Sequence, residues 1–131
     1  SSIPLSIESV RCRFWVSRDE EHVRLTLDGN GPSETLASRE HAYVLLTLAR
    51  LRNEDANEPE AEQGWIDRVA LQRMLGMDEN ALNVAIFRAR RQLSRAGLLG
   101  AVDMVEVRRG QRRFGVPPDR VQVETEGDEA S

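Results

Sequence analysis

Eight of the chain's 18 arginines fall between Asp78 and Arg113, in two clusters. Arg88, Arg90, Arg91 and Arg95 form the first, preceded by Asn80 and Asn83. Arg108, Arg109, Arg112 and Arg113 form the second, around Gly110-Gln111. Arginine can pair bidentately with guanine and asparagine with adenine, and arginines near a tight turn can reach phosphates or a minor groove. The chemistry these residue types suit is recognition of a polyanion, not the making of bonds. The groups that could support catalysis are scattered. His22 and His41 have no neighbouring metal-spaced Cys or His. Cys12 lies between Arg11 and Arg13, which could lower its pKa, but no histidine accompanies it. Gly29 and Gly31 belong to a turn with no P-loop lysine behind it, and Asp28 is followed by too few ligands for a calcium loop. No enzyme, cofactor or metal is expected.

Two elements must present the arginines. Leu82, Ala85, Ile86, Ala89, Leu93 and Ala96 recur at spacings of three and four, one stripe of a helix at about 100° per residue. That predicts a helix over 78–96, capped by Asp78, with Asn80, Asn83, Arg88, Arg90, Arg91 and Arg95 off the stripe. The segment 104–116 reads as a β-hairpin: strands Met104 to Arg109 and Arg112 to Val116, with Gly110-Gln111 at the turn. Upstream, Asp67 can cap a helix over 68–75 with Leu71, Met74 and Leu75 inward, and Gly76 stops it. The two helices and the turn between them read as a helix-turn-helix.

The rest of the chain supplies a scaffold. With 131 residues it makes one domain with tails. The segment 1–9 reads as a tether, 10–116 as the domain and 117–131 as an acidic disordered tail. Within the domain, 10–16, 22–27 and 33–36 read as strands of a small antiparallel sheet, separated by the turn Asp28-Gly29-Asn30-Gly31-Pro32. Ser38 is a candidate N-cap for a first helix starting at Arg39-Glu40-His41 and fading near Arg52. Residues 53–63, acidic and without an apolar anchor, read as a mobile loop. The net charge is −4 and mean hydropathy is −0.49. The charge is uneven: residues 1–62 carry 7 arginines and 12 acids, 63–113 carry 10 and 5, and 114–131 carry 1 and 5. A basic centre therefore sits between acidic flanks, and screening beyond about 8–10 Å leaves the local field in control. A single cysteine and the lack of a signal peptide or a membrane-length apolar run point to the cytoplasm.

Three strand-like segments, three helices and a C-terminal hairpin resemble the winged-helix effector domain of OmpR-type bacterial response regulators. The likeness covers residues 10–116. It rests on 80–93 (NALNVAIFRARRQL), similar to the family's recognition helix, with GWIDRVAL before it and RRGQRRF after it. The resemblance implies an α+β winged helix-turn-helix: a three-helix core, an N-terminal antiparallel sheet and a hairpin wing. It implies sequence-specific binding of double-stranded DNA, with helix 78–96 in the major groove and wing 104–116 on the backbone or minor groove. Carried over by position, Asn80, Asn83, Val84 and Phe87 would face bases, and Arg88, Arg91 and Arg95 phosphates. Arg90 would either do the same or brace the domain internally against an acid. The sequence departs from the pattern in the wing, which has one glycine and no tyrosine, and at Phe87, an outward aromatic suited to a thymine methyl or to a protein surface. The implied partners are a regulatory domain on the same or another chain and a second copy on the DNA. The alternative is a winged-helix module that binds protein without binding DNA.

Overall fold

The computed structural model describes residues 5–29, 31–37 and 40–127. It is an α+β fold of three helices and two sheets. Strand β1 (Arg11–Val16) alternates, with Cys12, Phe14 and Val16 buried and Arg11 and Arg13 exposed. Strand β2 (Val23–Asp28) buries Val23, Leu25 and Leu27 in the same way and runs antiparallel to β1, with Phe14 opposite Leu25. This period of two is what a sheet with one buried face requires. Strand β3 (Glu34–Ala37) pairs with β2. Asp28 closes the intervening turn by accepting hydrogen bonds from Arg13 Nε at 2.6 Å and from the Ser33 hydroxyl.

The first sheet corrects two expectations. It is mixed, not antiparallel, in the order β3-β2-β1-β7, because a strand from the far end of the chain lies parallel to β1. That strand, here β7 (Val121–Thr125), falls inside the segment read as a disordered tail. Its Val121 and Val123 are half-buried against the core. Arg120, just before it, donates to the carbonyls of Ile7 and Val10 at 3.2 and 2.9 Å. The described part of the supposed tether is docked as well. Ile7 N donates to Leu99 O at 2.9 Å and Leu99 N to Leu5 O at 2.8 Å, and both Leu5 and Ile7 pack on the core.

Helix α1 (Glu40–Glu54) is the centre of the molecule. It buries Ala42, Val44, Leu45, Leu46, Leu48 and Ala49, and touches β2, β7, the helix over Glu79–Arg95 and the strand Gln111–Phe114. The expected cap, Ser38, lies outside the described residues. Helix α2 (Arg68–Leu75) starts where Asp67 accepts from Val69 N at 2.9 Å and Ala70 N at 3.4 Å, and stops at the left-handed Gly76. Helix α3 (Glu79–Arg95) is capped by Asp78, which accepts from Ala81 N at 2.7 Å. Its stripe of Leu82, Ala85, Ile86, Ala89 and Leu93 is buried. Strands β5 (Val105–Arg108) and β6 (Gln111–Phe114) form a hairpin, and the two-residue strand β4 (Ile66–Asp67) adds to β6 as a third strand that the sequence did not suggest. Phe114 meets Phe14 with ring centroids 5.8 Å apart and joins the hairpin to the first sheet.

Residues 53–63, expected to be mobile, are tied down from several sides. Asp55 accepts from Gly64 N at 2.7 Å, and Gln63 Nε2 donates to the carbonyls of Ala56 and Glu58 at 3.3 and 3.0 Å. Beneath them lies Arg52, only 2% exposed. It donates to Gln63 Oε1 at 3.2 Å and to Phe114 O at 2.8 Å, and lies 3.7 Å from Glu106. Gly64 has φ +72, and a Cβ there would stand 2.7 Å from the Arg52 Cα, so both conformation and space demand glycine. The anchor is polar, which is why a search for apolar anchors passes over it.

Candidate nucleic-acid interface

The buried stripe of α3 fixes what the helix shows to solvent. At about 100° per residue, the side opposite Leu82 and Leu93 carries Asn80, Val84, Phe87, Arg88, Arg91 and Arg95. All are exposed except Val84, which is half-buried, and Phe87 stands 61% exposed. No acid occurs from Asn80 to Val102. Among the described residues, Arg88, Arg91 and Arg95 have no acidic partner, whereas Arg13, Arg50, Arg52, Arg68, Arg108 and Arg113 each have one.

Asn83 and Arg90 lie off this strip, on the flank nearer the hairpin. Asn83 is exposed. Arg90 is not free: Nε donates to Val102 O at 3.0 Å and Nη2 to Val105 O at 2.7 Å. Burial lowers its pKa, nearby Arg112 adds to this, and Asp103 opposes both. Arg90 therefore braces α3 against the base of the hairpin, through carbonyls and not through the acid that was the expected internal partner.

The hairpin divides its four arginines. The turn is Arg109-Gly110, with φ +35 and +77, and not Gly110-Gln111: Arg108 pairs with Gln111 across it. Positive φ at both central residues is the demand of a two-residue hairpin turn. Arg109 stands exposed at the tip. Arg112 is half-buried, shares a face with Val107 and donates to Gln111 O at 3.1 Å. Arg108 and Arg113 occupy the other face with Glu106, and their guanidinium carbons sit 4.2 and 4.6 Å from the centre of the Trp65 ring. Arg108 remains largely exposed, 4.0 Å from Glu62. Arg113 is buried: Nε donates to Glu106 Oε1 at 2.9 Å, and Nη1 to the carbonyls of Glu60 and Gln63 at 2.7 and 3.3 Å. It holds the acidic segment, a structural role where a phosphate contact was expected.

Sequence reasoning missed Arg52 and Trp65. Arg52 follows Leu45 and Ala49 by seven and three residues, so it lies on the helix's apolar stripe, and that spacing was the available signal. Trp65 stood next to the hairpin arginines in space only, and no local pattern announces that.

Cys12 is not a reactive thiol. Burial pushes its pKa up to about 12, against the opposing pull of Arg120. A raised thiol pKa stabilises the fold fully below the unfolded value of about 8.5, and that contribution is lost as pH rises toward 12. Labelling with a thiol reagent at mildly alkaline pH is expected to proceed only as fast as the protein opens. Rapid labelling of the folded protein would contradict the burial. Among the described residues no group of three or more His, Cys, Asp or Glu is placed to hold a metal, and no helix is long and apolar enough to cross a membrane.

Compared with known proteins, the chain matches no family model, no curated protein and no solved structure.

Proposed function

We propose that the chain binds double-stranded DNA as a winged helix-turn-helix effector domain of the OmpR type, in a bacterial transcriptional regulator of the cytoplasm. Helix α3 enters the major groove, and the β5–β6 hairpin acts as the wing against the backbone or the adjacent minor groove. The observation that carries this reading is the unpaired set Arg88, Arg91 and Arg95 on an acid-free helix face. Arginines that serve the fold are satisfied by acids or carbonyls within the chain. Cations left unpartnered beside Asn80 are what a polyanion with readable base edges would use.

Under this reading the side chains of α3 and the hairpin divide by role. Asn80, Val84 and Phe87 read bases, with Asn83 at the hairpin side. Arg88, Arg91, Arg95, Arg109 and Arg112 neutralise phosphates, and Arg108 adds to them when it leaves Glu62. Arg90 and Arg113 position the helix and the wing and contact no DNA. The overall charge of −4 does not oppose this at α3, where no acid occurs from Asn80 to Val102 and the field of distant acids is screened. A second copy, or a regulatory domain on the same or another chain, completes the regulator. The second reading is a protein-binding module without DNA affinity, and the exposed Phe87 and Val107 favour it. Titration onto a labelled random-sequence duplex, read by fluorescence anisotropy as salt is varied, tests the first reading. Binding that tightens as salt falls supports it, and no binding at low salt refutes it.

A further inference from the structure

Strand alternation puts Glu106, Arg108 and Arg113 on the hairpin face turned away from the buried Val105 and Phe114. Trp65 lies against that face beneath both guanidinium groups, and it also holds the acidic segment: its Nε1 donates to Ala61 O at 2.9 Å. Arg113 donates to the carbonyls of Glu60 and Gln63. The single helical turn Glu60–Glu62 is therefore fixed to the wing, and it places Glu62 Oε2 4.0 Å from Arg108 Nη2. A lone surface pair at this distance is weak, largely because two long side chains must be ordered to make it. Here the fold has ordered both ends. Glu62 is placed by the backbone of its turn. Arg108 is placed by the Trp65 ring and by Gln111 Oε1, to which its Nε donates at 3.2 Å. Both side chains remain exposed, so an incoming anion can separate them. Of the three wing arginines assigned to DNA, Arg109 and Arg112 have no carboxylate partner among the described residues, and Arg108 has one.

We propose that the segment 53–63 is an autoinhibitory strap: Glu62 occupies the Arg108 guanidinium where a DNA phosphate would sit, and so holds down binding to non-specific duplex. This rests on the DNA-binding reading. A duplex that seats α3 fully brings a phosphate to the wing and displaces Glu62. A duplex that seats poorly leaves Arg108 with Glu62 and goes without that contact. The strap thus widens the ratio of specific to non-specific affinity, the quantity that decides occupancy among many competing sites.

The test titrates the full chain onto a random-sequence duplex at several salt concentrations. Glu62→Gln keeps the size and polarity of the side chain and removes its charge. Its affinity at roughly 0.1 M salt should rise about three- to five-fold, and the slope of log K against log salt should steepen by about 0.9, for one more phosphate neutralised. Arg108→Ala should leave the wild-type slope nearly unchanged, because Arg108 is already occupied. Combined with Glu62→Gln it should abolish the gain, the coupling expected of two groups in contact. A gain from Glu62→Gln that persists in the Arg108→Ala background overturns the strap, since the charge then acts at a distance and not by holding Arg108. Unchanged affinity and slope in Glu62→Gln, in a protein that binds duplexes, also overturn it and leave the DNA reading intact. Failure of both wild type and Glu62→Gln to bind any duplex at low salt overturns both.

Discussion

Arg52→Ala is expected to lower the unfolding free energy by about 3 kcal/mol, in the range for removing one member of a buried ionic network. The side chain is 2% exposed and joins three parts of the molecule. Its guanidinium serves the Phe114 carbonyl at the end of β6, the Gln63 side chain in the acidic segment and Glu106 on β5. Burial, with Arg113 adding to it, lowers its pKa, while Glu106 and Glu60 oppose that fall. The acids are partly exposed, so Coulomb attraction is screened and supplies the smaller share. The larger share comes from a carbonyl and an amide oxygen left without donors, and from the space vacated beneath Gly64. Urea denaturation measures the loss. Protection of the Gly64 amide against hydrogen exchange should fall with it, since that N–H depends on the same segment. A loss below about 1 kcal/mol would mean that water replaces the guanidinium at little cost.

The second large effect concerns binding. The triple substitution of Arg88, Arg91 and Arg95 by alanine should weaken binding to random duplex about a hundred-fold at roughly 0.1 M salt. It should also flatten the plot of log K against log salt by about 2.7, or about 0.9 for each phosphate that is no longer neutralised. Stability should change little, because these side chains have no acidic partner among the described residues. Alanine at Arg90 or Arg113 should behave oppositely. Each leaves carbonyls without donors, so the unfolding midpoint falls, and DNA affinity follows only as far as the wing shifts. If the triple variant keeps the wild-type slope, the α3 face is not the anionic contact. If Arg113→Ala flattens the slope as much as a helix arginine does, its internal bonds are not what hold it.

Elements whose signals are local were readable in the sequence. The Asp67 and Asp78 caps, the Gly76 stop, the α3 stripe and the alternation of β2 each depend on residues within a few positions. What could not be read depends on distant partners. Strand β7 is short and flanked by acids, and the strand it pairs with, β1, lies more than a hundred residues earlier. The segment 53–63 looked mobile because its fastenings are arginine and glutamine side chains and not an apolar residue. The same limit applied to the site. Arg112 and Arg113 are neighbours of one type in sequence, and strand alternation turns one toward the Val107 face and the other toward Trp65 and Glu106. The turn at Arg109-Gly110 sets Arg112 opposite Val107 and Arg113 opposite Glu106. A turn one residue later would set them opposite Arg109 and Arg108, on the same two faces, so the division follows from strand alternation under either turn, and what each face meets depends on distant residues.

The most direct measurement is the salt dependence of wild-type binding to a random-sequence duplex. Five arginines — Arg88, Arg91 and Arg95 on α3, Arg109 and Arg112 on the hairpin — are assigned to phosphates, so log K should fall against log salt with a slope of about −4.5. Affinity in the micromolar range at low salt is expected with it. A slope shallower than about −1, or no binding at the lowest salt, would contradict the assignment of this face to DNA.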